Sequence, residues 1–187
     1  MSYQVSADRL DAIRSAVLVI DVQQKLLPAI PSGEIVVYVT ERLLKAAELV
    51  GVPRAATVQY PKGLGPLDPS LAKALPAPEE KLEFSAAVCR TELERWRADG
   101  RNQIVVCGIE THICVLQTAL DLIAEGLAVH VVAEAVAARG GQEHELAMEQ
   151  MRSAGATITS FESVVFQWLG SASHPAFKSI SRMVKDG

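Results

Sequence analysis

The sequence predicts an α/β fold, a three-layer α/β/α domain around a mainly parallel sheet of five to six strands. Three observations point there. Short apolar runs rich in β-branched residues alternate with longer segments of helical period. The first of these runs is apolar at every position rather than at alternate ones, which suits a strand buried on both faces. The 187 residues, 49% hydrophobic and 21% charged, fit one domain, residues 1–187, with a sizeable core.

The elements follow in order. Ala16–Ile20 (AVLVI) reads as a central parallel strand that ends at Asp21. Val36, Val39, Leu43, Ala46, Ala47 and Val50 recur at three to four residues, so Ile35–Val50 reads as a helix, closed by Gly51. Arg54–Tyr60 is a second strand. Pro61–Glu80 holds five of the nine prolines and two of the twelve glycines, so it reads as a loop with one short helix at Pro69–Ala74. Loops of this length usually serve a site. Thr91–Ala98 is a helix, Gln103–Cys107 a third strand, Thr111–Glu125 a helix and Ala128–Val132 a fourth strand. Glu143–Ala154, the short strand Thr157–Thr159, and the helices Glu162–Leu169 and Pro175–Val184 complete the chain. Right-handed crossovers then place helices on both faces of the sheet. Ligands in such sheets sit beyond the carboxyl ends of the strands, where the strand order reverses.

Composition narrows the partners. Eighteen Lys and Arg against 22 Asp and Glu give a net charge of −4. That sign disfavours nucleic acid and anionic membrane surfaces. No apolar run approaches the ~18 residues of a membrane span. MSYQVSADRLDAIRS shows no basic region followed by an apolar one, so no secretory signal is expected and the cytoplasm is the expected compartment. Cys89, Cys107 and Cys114 are odd in number and irregularly spaced, which is no disulfide framework. His112, His130, His144 and His174 are scattered, with no ligand set for a structural metal. No metal or other cofactor is expected. The expected ligand is a small-molecule substrate.

Three strand ends are informative: Asp21 follows the first strand, Tyr60 follows the second and opens the proline-rich loop, and Gly108–Cys114 follows the third and enters a helix. Cys114 falls in the first turn of a helix, where the dipole and free N–H groups favour a thiolate nucleophile. A free Cys also packs as a small hydrophobe, so position alone leaves both readings open. Asp21 is costly at the tip of a buried strand unless something uses it. It reads either as a cap for the following turn or as an acid/base beside a nucleophile. Asp21 is followed by Val22-Gln23, which is neither a DxD phosphatase pair nor a phosphate-cradling glycine loop. Lys81, in PEEKLE, reads by composition as part of a solvated charged face. The neighbouring Leu82 and Phe84 give it a route to desolvation.

Taken together, LVIDVQ, Lys81 before Phe84-Ser85, and GIETHICV entering a helix resemble the isochorismatase-like cysteine hydrolases. VQYPKGLGPLDPSL and HPAFKSISRMVK resemble the isochorismatase domain-containing subgroup. The resemblance runs from about Val17 to Val184 and implies a Rossmann-like fold. It implies a catalytic triad with Asp21 as acid/base, Lys81 as charged partner and Cys114 as nucleophile. It implies a cis peptide at Ile109–Glu110, with the backbone N–H groups of Glu110 and Cys114 forming an oxyanion hole. Gln23, Tyr60 and Phe84 are assigned to the substrate pocket; Phe84 reads equally well as core packing.

Departures from the family narrow the chemistry. Nicotinamidase-type members carry a metal-binding Asp-x-His after the second strand, where this chain has Gln59-Tyr60-Pro61-Lys62-Gly63. Members that hydrolyse isochorismate itself lack the cysteine. Glu110 stands where nicotinamidases commonly have a small residue, which would alter the pocket charge. The expectation is a cysteine hydrolase of a small amide-type substrate, working through a thioester and assembled as a homo-oligomer. The alternative is a non-catalytic oligomeric scaffold or binding protein that retains the fold. In that reading Phe166, Trp168 and Leu169, with Phe177, Ile180, Met183 and Val184, dock a subunit. The same residues also suit simple intrachain closure.

Overall fold

The computed structural model describes residues 3–185. Six strands form one sheet, β1 (Ser15–Ile20), β2 (Arg54–Gln59), β3 (Glu79–Lys81), β4 (Gln103–Ile109), β5 (Ala128–Ala137) and β6 (Thr157–Thr159). Their spatial order is β3-β2-β1-β4-β5-β6, and every pair is parallel. The order reverses between β1 and β4. That crevice is where the physics of parallel sheets places a ligand.

The alternation of side chains sorts the core into two layers. Val17 and Val19 of β1 and Val105, Cys107 and Ile109 of β4 face one side. There they meet α1 (Gly33–Leu49), α7 (Phe161–Leu169) and α8 (Phe177–Lys185). Ala16, Leu18 and Ile20 of β1 face the other side. That layer is closed by α4 (Arg90–Ala98), α5 (Leu116–Ala124) and α6 (Gly141–Ser153). Two one-turn helices, α2 (Pro61–Leu64) and α3 (Pro69–Ala72), lie in the proline-rich connection. Among the described residues no helix is long and apolar enough to cross a membrane.

Three departures from the sequence-based reading bear on the site. The segment expected to be loop as far as Glu80 ends in β3, a short edge strand paired with β2 through Thr57, Val58 and Gln59. Its sequence, Glu-Glu-Lys, carries no apolar signal, and charged short strands are how sheets protect their edges. β5 continues to Ala137 rather than stopping at Val132, because its register against β4 shifts: Val106 faces Val131, yet Gly108 faces Val136. The helix expected from Thr111 begins as a π-helical turn, Thr111–Val115, before α5 takes over.

The C-terminal segment closes the protein's own core. Trp168, Leu169 and Ile180 are buried, and Phe166 packs edge-to-face on Phe177 with ring centroids 6.4 Å apart. The indole N–H of Trp168 donates to Ser15 Oγ at 3.0 Å, tying α7 to the start of β1. Trp168, Leu169 and Ile180 are thus used within the chain, while Phe166 and Phe177 are partly buried against them.

Gly108 sets the width of the crevice. It pairs with Ile20 at φ +134°, and a Cβ there would stand 2.0 Å from the Ile20 carbonyl oxygen. The expected outcome for Gly108→Ala is a stability loss of about 3 kcal/mol or more, or failure to fold, read by urea unfolding. Loss of less than ~0.5 kcal/mol would mean that the close approach of β1 and β4 is not required.

Candidate active site

The site is assembled from three strand ends. Asp21 follows β1, Lys81 ends β3, and Cys114 lies in the turn after β4. All three are buried, at 0%, 4% and 5% exposure. Asp21 holds a left-handed backbone conformation, φ +54°, that non-glycine residues seldom adopt. Its amide donates to the Thr57 carbonyl at 3.2 Å, and its carbonyl accepts from Gln23 N–H at 2.8 Å. The chain therefore leaves β1 sharply, with the carboxylate kept inside.

Each carboxylate oxygen has a hydrogen-bond partner. Lys81 Nζ donates to Asp21 Oδ2 at 2.6 Å, and Thr57 Oγ1 donates to Oδ1 at 2.8 Å. Lys81 also donates to the carbonyls of Phe84 at 2.9 Å and Glu83 at 3.3 Å. An ammonium has three N–H donors, and each here has an acceptor. This arrangement makes Lys81 a fixed positive charge beside Asp21. Its flanking side chains do not desolvate it, since Leu82 and Phe84 point outward and are exposed. The loop's carbonyls hold it instead.

Cys114 faces this pair. Burial and the neighbouring Asp21 carboxylate, through charge and hydrogen bonding, raise its thiol above the ordinary value, and Lys81 acts in the opposite direction. Of the two readings the sequence left open, this environment favours the neutral, buried thiol at rest. Cys114 is the fourth residue of a π-helical turn, and its burial is the largest cause of the raised thiol. Burial also raises the other two thiols, Cys89 to about 11 and Cys107 to about 12.

The bond between Ile109 and Glu110 is cis. The Glu110 side chain is buried and pairs with Arg139. Its oxygens accept from Arg139 Nε at 3.0 Å each, and Oε2 also accepts from the Arg139 backbone N–H at 3.0 Å. The Glu110 charge is thus paired with Arg139, yet it still adds to the rise of the Cys114 thiol. Next along the turn, Thr111 Oγ1 and His144 Nδ1 of α6 are 3.0 Å apart.

The remaining pocket candidates have mixed placements. Gln23 is fully buried and latches the proline-rich connection. Its Nε2 donates to the carbonyls of Gly65 at 2.7 Å and Gln59 at 3.0 Å, and its Oε1 accepts from Gln59 N–H at 2.8 Å. Tyr60, at φ +41°, is exposed, and its ring lies over Gly63. Phe84 reaches the site through its carbonyl, while its side chain is exposed.

Three contributors escaped the sequence-based reading: Thr57, Thr118 and Arg139. Thr57 is the polar residue within the Ala55–Val58 run of β2, and Thr118 interrupts the apolar stripe of α5. A lone hydroxyl inside an apolar pattern was the available signal for both. Thr118 Oγ1 donates to the Cys114 carbonyl at 2.6 Å and accepts from Ala86 N–H at 2.7 Å. It clamps the loop that feeds Lys81 its carbonyls to the turn that carries Cys114.

The isochorismatase domain family matches residues 15–163. This chain belongs to the isochorismatase family. Isochorismatase domain-containing protein 2A of Mus musculus is 39% identical over 98% of this chain and 88% of its own length. The MAR1 ribonuclease structure from Caenorhabditis elegans is 34% identical, with a TM-score of 0.88 over 95% of this chain and 92% of that one. The Escherichia coli YcaC structure, described as an octameric hydrolase of unknown specificity, shares the fold at 24% identity and TM-score 0.77, covering 98% of each chain.

Two predictions follow from the geometry of this isochorismatase-family site. Thr118→Val leaves Ala86 N–H unpaired in the core and should cost about 2 kcal/mol by urea unfolding, with Thr118→Ser restoring most of it. Asp21→Asn removes the charge that raises the Cys114 thiol. In iodoacetamide labelling followed by peptide mapping, the onset for Cys114 should move to lower pH while Cys107 is unchanged. The wild-type Cys114 should resist labelling below the ordinary thiol value of about 8.5. Rapid wild-type labelling at neutral pH contradicts the resting protonated thiol.

Proposed function

We propose that this protein is a cysteine hydrolase of small amide-type substrates, with Asp21, Lys81 and Cys114 as its catalytic triad. The observation that carries this reading is the buried Asp21–Lys81 pair set against the Cys114 thiol. A carboxylate held by a lysine with no spare donor is a proton acceptor whose position does not wander. A buried cysteine beside it is a nucleophile in waiting.

The steps balance as follows. The Cys114 sulfur attacks the substrate carbonyl carbon as its proton passes to Asp21. The oxyanion rests on the backbone N–H groups of Glu110 and Cys114; one such donor is commonly worth about 3–4 kcal/mol. Asp21 hands the proton to the leaving amine, the C–N bond breaks, and a thioester remains. Water then attacks the thioester and gives its proton to Asp21. Collapse releases the acid, and the proton returns to sulfur. Lys81 keeps its proton throughout and balances the charge on Asp21.

Other readings fit less well. The ribonuclease named for the worm relative would call for a cationic track along phosphates, which a net charge of −4 does not favour. The scaffold reading is weakened, because Trp168, Leu169 and Ile180 of its docking set are buried in this chain's own core. Homo-oligomer assembly remains part of the proposal, through the exposed apolar surface around Pro31 and Ile35 at the start of α1. Three unpaired, buried cysteines suit a reducing cytoplasm.

The test is a panel of small primary amides and ureido compounds scored for amine release. Wild type should hydrolyse a subset, and Cys114→Ala should lower that rate at least about a hundredfold at unchanged stability. Full hydrolysis by Cys114→Ala would falsify the mechanism.

A further inference from the structure

Between α1 and α8 lies a cleft of about 470 Å³, remote in its residues from the Asp21–Lys81–Cys114 site. Three cations line it: Arg42 and Lys45 from α1, and Arg182 from α8. Among the described residues, no carboxylate shares the lining and neither Lys45 nor Arg182 has an ion-pair partner. Surfaces usually intersperse charges of both signs, and an unbalanced cluster focuses the field on its concave side. This one occurs in a chain of net charge −4, so overall charge does not account for it.

The same cleft has an apolar side. Tyr38 and Leu49 line it and remain 46% and 42% exposed, and Met183 joins them from α8. Arg42 is held in place. Its guanidinium carbon lies 5.2 Å from the Tyr38 ring centroid and 4.6 Å from that of Phe161, and the guanidinium donates to the Met183 carbonyl. The positive wall is therefore partly rigid before any ligand arrives, which lowers the ordering cost of binding. The volume is that of a small-molecule site.

We propose that this cleft is a second binding site, for a small organic anion that carries a phosphate or carboxylate head on a flat or aliphatic body. Lys45 and Arg182 take the head, Arg42 adds fixed charge, and Tyr38 and Leu49 cover the body. Neither half alone satisfies the cleft. An inorganic anion leaves Tyr38 and Leu49 in water, and an uncharged body leaves the cations unbalanced.

The probe is phenyl phosphate, titrated calorimetrically at low salt into the full chain, with inorganic phosphate and phenol as its two halves. The expected result is saturable binding at one site per chain, weakened about tenfold by Arg182→Gln or Lys45→Gln and weakened by added salt. Each half should bind at least about tenfold more weakly than the whole. Both substituted residues are exposed, so the fold is expected to survive, and circular dichroism checks it. Binding should persist after Cys114→Ala, which separates this site from the proposed active site. Absence of saturable binding, or equal binding by both cation variants, overturns the proposal. So does sedimentation with phosphatidylserine vesicles that excess phenyl phosphate cannot displace, which would make the patch a membrane contact.

Discussion

The buried ion pair between Asp21 and Lys81 is the constraint around which this end of the molecule is arranged. Removing two charges from water costs several kcal/mol per ion, and their mutual attraction offsets that only with good geometry and further hydrogen bonds. Both conditions are met at 2.6 Å, with Thr57 on the carboxylate and two loop carbonyls on the ammonium. Each partner comes from a different part of the chain. β1 supplies Asp21, β2 supplies Thr57, β3 supplies Lys81, and the turn after β3 supplies the carbonyls. The pair is satisfied only when all four are in register. A salt bridge of this kind is weak support for stability, since matched hydrophobic residues would serve as well or better. The proposed chemistry accounts for its place beside the Cys114 thiol.

Two further devices hold the pair in place. Gln23 ties the exit of β1 to the last residue of β2 and to Gly65, so the proline-rich connection folds down over the strand ends. The bridge between Gln23 and Leu67, and the bond from Asp68 N–H to the Val22 carbonyl at 2.8 Å, extend this seam. On the opposite side, Thr118 fixes the Cys114 turn to the segment that follows Lys81. The acid, the charge and the thiol are thereby joined through a continuous hydrogen-bonded frame. Such a frame keeps a catalytic arrangement within tenths of an ångström more reliably than loop packing does.

Much of this architecture was legible in the residues. The β-branched run before Asp21 and the apolar stripes of α1 and α5 were sufficient for a parallel sheet with helices on both faces. β3 was not legible, because three charged residues at an edge carry no periodicity and pair only when the chain returns to β2. The continuation of β5 was hidden by a register shift that brings Ala133 and Glu134 into a run read as loop. At the site, Asp21 and Cys114 stood out by position, whereas Lys81 was singled out by family resemblance alone. Thr57, Thr118 and Arg139 stood out by neither, because their roles depend on partners 36, 32 and 29 residues away in sequence.

The thiol is where the structure changes the chemical argument most. A helix-start cysteine suggests a nucleophile kept as thiolate, yet burial and the Asp21 carboxylate favour the neutral form of Cys114. The two descriptions of the nucleophile differ in when the proton leaves. In the proposed mechanism, a thiol neutral at rest passes its proton to Asp21 as it attacks. The oxyanion-binding N–H groups then act at the moment when negative charge moves from sulfur to oxygen. A thiolate of intrinsically high pKa is also the more nucleophilic once formed. In the proposed mechanism, holding the proton until substrate binds reserves that reactivity for the bound carbonyl. It also makes the resting cysteine a poor target for oxidants, whose reaction needs an accessible thiolate. Protection at rest and reactivity with substrate thus arise from the same burial.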